Sequence, residues 1–151
     1  MSKLQNAVIG AGLAAAVFGA DQLCKVHARK HADPLQIYRK EKKSAVRITY
    51  AENRGFALNL GEQHPMLVKG ASLAVASACT AALFPAVQNG TALQVAGISF
   101  LLGGGLSNTY DRIARGEVTD YIGVGRVVYN LADFAIFAGM LMTVMEACGT
   151  D

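Results

Sequence analysis

Apolar residues gather into four blocks along the chain, over about 4–23, 66–87, 92–106 and 127–148. Each approaches the roughly 17–25 residues that a helix needs to cross the hydrocarbon of a bilayer. One long polar region, 26–65, separates the first block from the second, and a short excursion over 116–129 precedes the fourth. The expected fold is an all-α membrane protein of four transmembrane helices. Gln88-Asn89-Gly90-Thr91 is only a turn, so helices two and three should be antiparallel neighbours. In the long polar region Pro34 stops any helix. Segments 35–38 and 46–50 have strand-like composition around a charged turn, 39–43, and a further short strand is expected over 56–60. These predict a small β flap over about 34–60, lying on the membrane surface. Asn53-Arg54-Gly55 marks a tight turn within it, since Asn and Gly both tolerate positive φ.

The small residues suit this picture. Gly10, Gly12 and Gly19 with many alanines fit close packing of the first helix in lipid, and Gly103-Gly104-Gly105 would let a neighbouring backbone approach the third. Met1–Lys3 is weakly charged and no small-residue cleavage site follows, so the first block is expected to be retained as a helix. Asp21 and Lys25 lie four apart, acid first, the favourable order for a pair on one helix face. Two roles suit them: an interfacial ion pair fixing the depth of the helix, or contact with a substrate.

Composition narrows the classes. Hydrophobic residues make up 52% and charged residues 17%, too few to cover a soluble core comfortably. The net charge of +3 matters less than its placement. Arg29, Lys30, Arg39, Lys40, Lys42, Lys43, Arg47 and Arg54 all fall in the first polar region. Beside a membrane helix such a cluster meets anionic head groups, at about 1 kcal/mol per basic residue, and no nucleic-acid partner is expected. Cys24, Cys79 and Cys148 are isolated and lie in or beside apolar blocks, so they should be buried apolar side chains and not a disulfide framework or zinc site. His27, His31 and His64 form no metal-hydrolase motif, and the glycine run lacks the Lys-Ser/Thr ending of a phosphate loop.

The candidate chemistry is acidic. Asp133 is followed by apolar side chains almost without a break to Val144, and an ionisable group inside a membrane helix costs at least about 2.5–3.5 kcal/mol on insertion scales. Asp120 is the nearest second carboxylate on the same side of that helix. Two carboxylates held close share one proton, so one can act as a base on water while the other donates to a carbonyl oxygen. Asn108, Asp111 and Arg112 share a face if the third helix continues, and Asn130 and Asp133 lie three apart. From residue types alone two other readings stand: polar residues joining helices, or a proton or ion site in a small transporter.

Five motifs resemble bacterial lipoprotein signal peptidase, also called signal peptidase II. They are Asp21-Gln-Leu-Cys-Lys25, Asn53-Arg-Gly55-Phe-Ala57, Gly103-Gly-Gly-Leu-Ser-Asn108-Thr-Tyr-Asp111-Arg112, Val118-Thr-Asp120-Tyr121 and Asn130-Leu-Ala-Asp133, in order along nearly the whole chain. The resemblance implies one integral-membrane peptidase domain over 1–151, with four transmembrane helices and a small extracytoplasmic β-sheet. It implies a metal-free, cofactor-free aspartic endopeptidase of the bacterial cytoplasmic membrane, with its active site toward the extracytoplasmic face. Its substrate would be a diacylglyceryl-modified prolipoprotein, cut just before the lipidated cysteine, and the cyclic peptide globomycin would inhibit it. Asp120 and Asp133 match the catalytic dyad. Asp21, Lys25, Asn53, Gly55, Asn108, Asp111, Arg112 and Asn130 match substrate-binding or supporting positions. A monomer among membrane lipids is expected. The basic loops would be placed in the cytoplasm by the positive-inside rule, whereas the resemblance puts them outside, and the specific motifs take precedence over the statistical rule.

Overall fold

A computed structural model describes residues 2–31, 46–56, 60–125 and 127–149. The chain runs α1 (Lys3–His31), β1 (Val46–Asn53), α2 (Pro65–Asn89), α3 (Ala92–Ala114), β2 (Val118–Val124), β3 (Val127–Tyr129) and α4 (Leu131–Cys148). Helices α1, α2 and α4 are long and apolar enough to cross a membrane. Helix α3 is as long as they are, but its second half carries Ser107, Asn108, Asp111 and Arg112. The all-α membrane architecture with a small sheet is therefore the one the chain adopts, with three helices qualifying as spans by composition.

Burial is inverted relative to a protein built for water. Asp21, Lys25, Ser99, Ser107, Asp111 and Asn130 have no exposed surface, while Leu4, Leu23, Phe84, Phe137 and Val144 are largely exposed. Lipid is as apolar as leucine, so outward aliphatic side chains lose nothing there, and the polar groups must find partners inside. Helix α3 is the centre, packed against the other three helices. A Cβ on Gly103 would meet the Ala14 carbonyl oxygen of α1 at 2.6 Å, and one on Gly104 the Ala132 carbonyl oxygen of α4 at 2.6 Å. Glycine is what lets both backbones touch α3 at one level. Gly10 serves similarly against Ser99, but Gly12, Gly19 and Gly105 face open space and are not packing sites, contrary to expectation. Thr91 caps α3, its side-chain oxygen accepting from the Gln94 N–H at 3.2 Å.

The sheet differs from the expected flap. It has three antiparallel strands in the order β1-β2-β3, so two of them come from the second polar excursion. Runs 46–53 and 118–124 pair, and neither run alone announces its partner. The register aligns Asn53 with Val118, Glu52 with Thr119 and Ala51 with Asp120, then slips at a bulge between Ile48 and Ala51. Gly125, at φ 59°, turns β2 into β3. Residues 127–129, read from sequence as the start of the fourth helix, are strand β3, and α4 begins after Asn130. Phe56 and Leu60 are in bends and turns instead of a strand. The expected strand at 35–38 and turn at 39–43 lie outside the described residues.

Candidate active site

The site is built at the polar end of α3. Because α3 continues to Ala114, Ser107, Asn108, Asp111 and Arg112 stack at three- and four-residue intervals toward α1, α4 and the sheet. Lys25 of α1 meets them. Its ammonium lies 2.7 Å from Asp21 Oδ2, 3.0 Å from Asp111 Oδ2 and 2.8 Å from Asn108 Oδ1. Asp21 also accepts from the Ser107 hydroxyl at 2.6 Å, the Tyr121 hydroxyl at 3.0 Å and the Ala132 N–H at 3.2 Å. Asp111 pairs in addition with Arg115 and with the Gln22 amide at 3.3 Å. Asp21 and Lys25 are thus buried and do not line the cleft. They form a buried knot that ties α1, α3, β2 and α4 together.

In front of this knot lie two further aspartates. Asp120 comes from β2, and Asp133 is the third residue of α4. Asn130 caps α4, its Oδ1 accepting from the Asp133 N–H at 2.9 Å while Asp133 Oδ2 accepts from the Asn130 N–H at 3.1 Å. The free end of the same amide donates to Asp120 Oδ1 at 2.6 Å. One asparagine therefore bridges both carboxylates. Asn108 Nδ2 donates to Asp133 Oδ1 at 2.9 Å. Asn53 of β1 lies beside Asp120 and accepts from the Gly55 N–H at 3.0 Å, so its side chain makes the turn, and Gly55 is not at positive φ. Arg112 donates to the Gly55 carbonyl at 2.9 Å and lies over the Phe56 ring, pinning that turn over the site.

A cleft of about 660 Å³ opens here. Asn53, Asn108, Arg112, Asp120, Asn130 and Asp133 supply its polar wall, and Tyr129, Phe134, Phe137 and Met140 an apolar one. Asp21, Lys25, Asp111 and Gly55 do not line it. Asp120 is almost fully buried, and its carboxyl is pushed up to about 7, chiefly by burial and then by the Asp133 charge. The Asn130 hydrogen bond, the Lys25 charge and Asn53 act in the opposite direction. Burial beside the Asp21 charge likewise pushes the Tyr121 phenol up.

Sequence reasoning did not single out Gln22, Ser107, Tyr121 or Arg115 as partners in the knot. Ser107 and Arg115 lie four residues on either side of Asp111, and that spacing was the available signal. The cysteines are free, and Cys24 and Cys148 are exposed instead of buried, on helix positions that lack a packing neighbour. Among the described residues no group of three or more His, Cys, Asp or Glu could hold a metal ion.

A family model described as signal peptidase (SPase) II matches residues 13–148. The chain belongs to the signal peptidase II family. It is 30% identical to a lipoprotein signal peptidase of Caldicellulosiruptor bescii over 128 residues, covering 83% of this chain and 81% of that one. It is 32% identical to a lipoprotein signal peptidase of Chlorobium phaeobacteroides over 146 residues, covering 87% and 91%. A solved structure of a bacterial membrane enzyme superposes with a TM-score of 0.80 at 20% identity, covering 93% of this chain and 87% of that one. A second superposes at 0.78 and 21%, covering 95% and 94%. These two carry the fold. Membership of the signal peptidase II family makes the chain a membrane-embedded peptidase.

Proposed function

We propose that this peptidase removes signal peptides from diacylglyceryl-modified prolipoproteins, cutting just before the lipidated cysteine, with Asp120 and Asp133 as its carboxylate pair. The observation that carries the reading is the Asn130 bridge, which holds both carboxylates on one cleft at the end of apolar helices. A substrate anchored by its acyl chains presents its scissile bond at the depth of such a cleft. One carboxylate, ionised, takes a proton from water as the water oxygen bonds to the scissile carbonyl carbon. The other, protonated, gives its proton to the carbonyl oxygen. On collapse a hydroxyl proton returns to the second group, the first passes its proton to the departing nitrogen, and the C–N bond breaks. Both groups end as they began, and no covalent intermediate is required.

Asn53, Asn108 and Arg112 line the cleft and are assigned to substrate binding and support, with Asn130 supporting the dyad. Asp21, Lys25, Gly55 and Asp111 support it from behind. The enzyme acts as a monomer, with residues 1–151 as one domain in the bacterial cytoplasmic membrane and the sheet outside, and globomycin blocks the cleft. Asp120→Asn and Asp133→Asn test the dyad. Each should accumulate in the membrane and lose at least about 10²-fold in cleavage of a lipidated precursor, the usual share of general acid–base catalysis. Parental cleavage by either variant ends the assignment.

A further inference from the structure

We propose that Asp133 is the ionised member of the pair and Asp120 the protonated one, and that Lys25 sets this polarity as a positioning residue acting through the Asn108 amide. The inference rests on the reading of the pair as the hydrolytic centre, and it follows from which atoms can only donate.

An ammonium has no acceptor. The end of Asn108 that lies 2.8 Å from Lys25 Nζ is therefore Oδ1, and the end facing Asp133 Oδ1 at 2.9 Å is Nδ2. A backbone N–H has no acceptor either. The Asp133 N–H fixes Asn130 Oδ1 at 2.9 Å, so Asn130 Nδ2 faces Asp120 Oδ1 at 2.6 Å. The Asn130 N–H supplies Asp133 Oδ2 at 3.1 Å. Both oxygens of Asp133 thus accept from groups that cannot accept in return, and these bonds are stronger to a carboxylate than to a protonated carboxyl. Asp133 also sits in the first turn of α4, where the aligned peptide dipoles favour negative charge. Asp120 lies on a strand, outside the first turn of α4, and meets that helix through the Asn130 side-chain amide. Its elevation to about 7, partly under the Asp133 charge, agrees with its holding the proton near neutrality.

Among the described residues the charged groups around the pair are few. Helix α1 brings Lys25 and Asp21, and α3 brings Arg112 and Asp111. Strand β1 brings the neutral Asn53, and β2 and β3 bring the phenols of Tyr121 and Tyr129. Lys25 is the cation that touches an amide of the pair directly. With the roles assigned, Asp133 takes the proton of the attacking water and Asp120 protonates the carbonyl oxygen.

The test is the pH profile of kcat/KM for the full-length enzyme in detergent micelles, with a diacylglyceryl-modified precursor peptide. Asn108→Ala removes a donor to Asp133 while leaving Lys25 its two carboxylates. It should move the acid limb up by about 1 unit and leave the basic limb in place. Asn53→Ala removes the amide beside Asp120 that holds its carboxyl down, and should move the basic limb up while the acid limb stays. Lys25→Met should reproduce the Asn108→Ala shift of the acid limb and, because the Lys25 charge also holds the Asp120 carboxyl down, raise the basic limb as well. If Lys25→Met does not accumulate, Lys25→Gln, which removes the charge but keeps a donor for Asp21, is read the same way. The reverse pattern, or limbs that do not move, overturns the polarity. An acid limb at its parental position in the Lys25 variant overturns the role of Lys25. Full activity in Asp120→Asn or Asp133→Asn sinks the underlying reading instead, so the two failures are distinguishable.

Discussion

Lys25→Met is the most informative stability perturbation. The substitution nearly keeps the volume of the side chain, shortens it by one atom, and removes the ammonium with its three contacts at 2.7, 2.8 and 3.0 Å. Lys25, Asp21 and Asp111 have no exposed surface, so water does not take over. Breaking a buried ion pair by removing one partner costs about 3–5 kcal/mol, because the other charge is left uncompensated. The two carboxylates are not equally stranded. Asp111 keeps Arg115, whereas Asp21 keeps only neutral donors from Ser107, Tyr121 and the Ala132 N–H. Most of the loss should therefore come from Asp21, and adding Asp21→Asn to Lys25→Met should recover half of it or more. Unfolding in detergent micelles, followed by denaturant titration for the parent, both single variants and the double, measures this as a double-mutant cycle. A loss below about 1 kcal/mol for Lys25→Met, the value of an exposed pair, would refute a dry knot behind the site.

Asp120 makes stability depend on pH. Its carboxyl is raised in the folded chain from an ordinary value near 3.8 to about 7, so the folded state holds the proton longer than the unfolded state. Its contribution therefore falls as pH rises between about 4 and about 7, and a pH series of melts should lose that slope in Asp120→Asn. Adjacent glycines should respond oppositely to alanine: Gly104→Ala, whose Cβ meets the Ala132 carbonyl oxygen at 2.6 Å, should cost about 1–3 kcal/mol, while Gly105→Ala faces open space and should be neutral or stabilising by up to about 1 kcal/mol. Equal losses at the two positions in melts would remove Gly104 as the α3–α4 contact. A single cysteine replacing Arg54, which is exposed near the sheet, should react with a membrane-impermeant reagent in intact cells of a cysteine-free background. Protection would place the sheet in the cytoplasm.

The hydrophobic blocks by themselves determined the helices, because nothing but a helix lets an apolar run satisfy its own backbone in lipid. Residue chemistry also made Asp133 conspicuous, since a carboxylate beside so many apolar neighbours is costly wherever the helix packs. Partnership was decided only in three dimensions. Strand β1 lies far in sequence from β2 and β3, and a short polar run reads as loop until a second one lies beside it. That Asp21 and Lys25 are sealed behind the cleft, while Asn108 and Asn130 each face two ways, depends on glycines 103 and 104 drawing α1 and α4 onto α3 at one level. Spacing along one helix can say which side chains share a face, but what a face meets is fixed by the packing of the others.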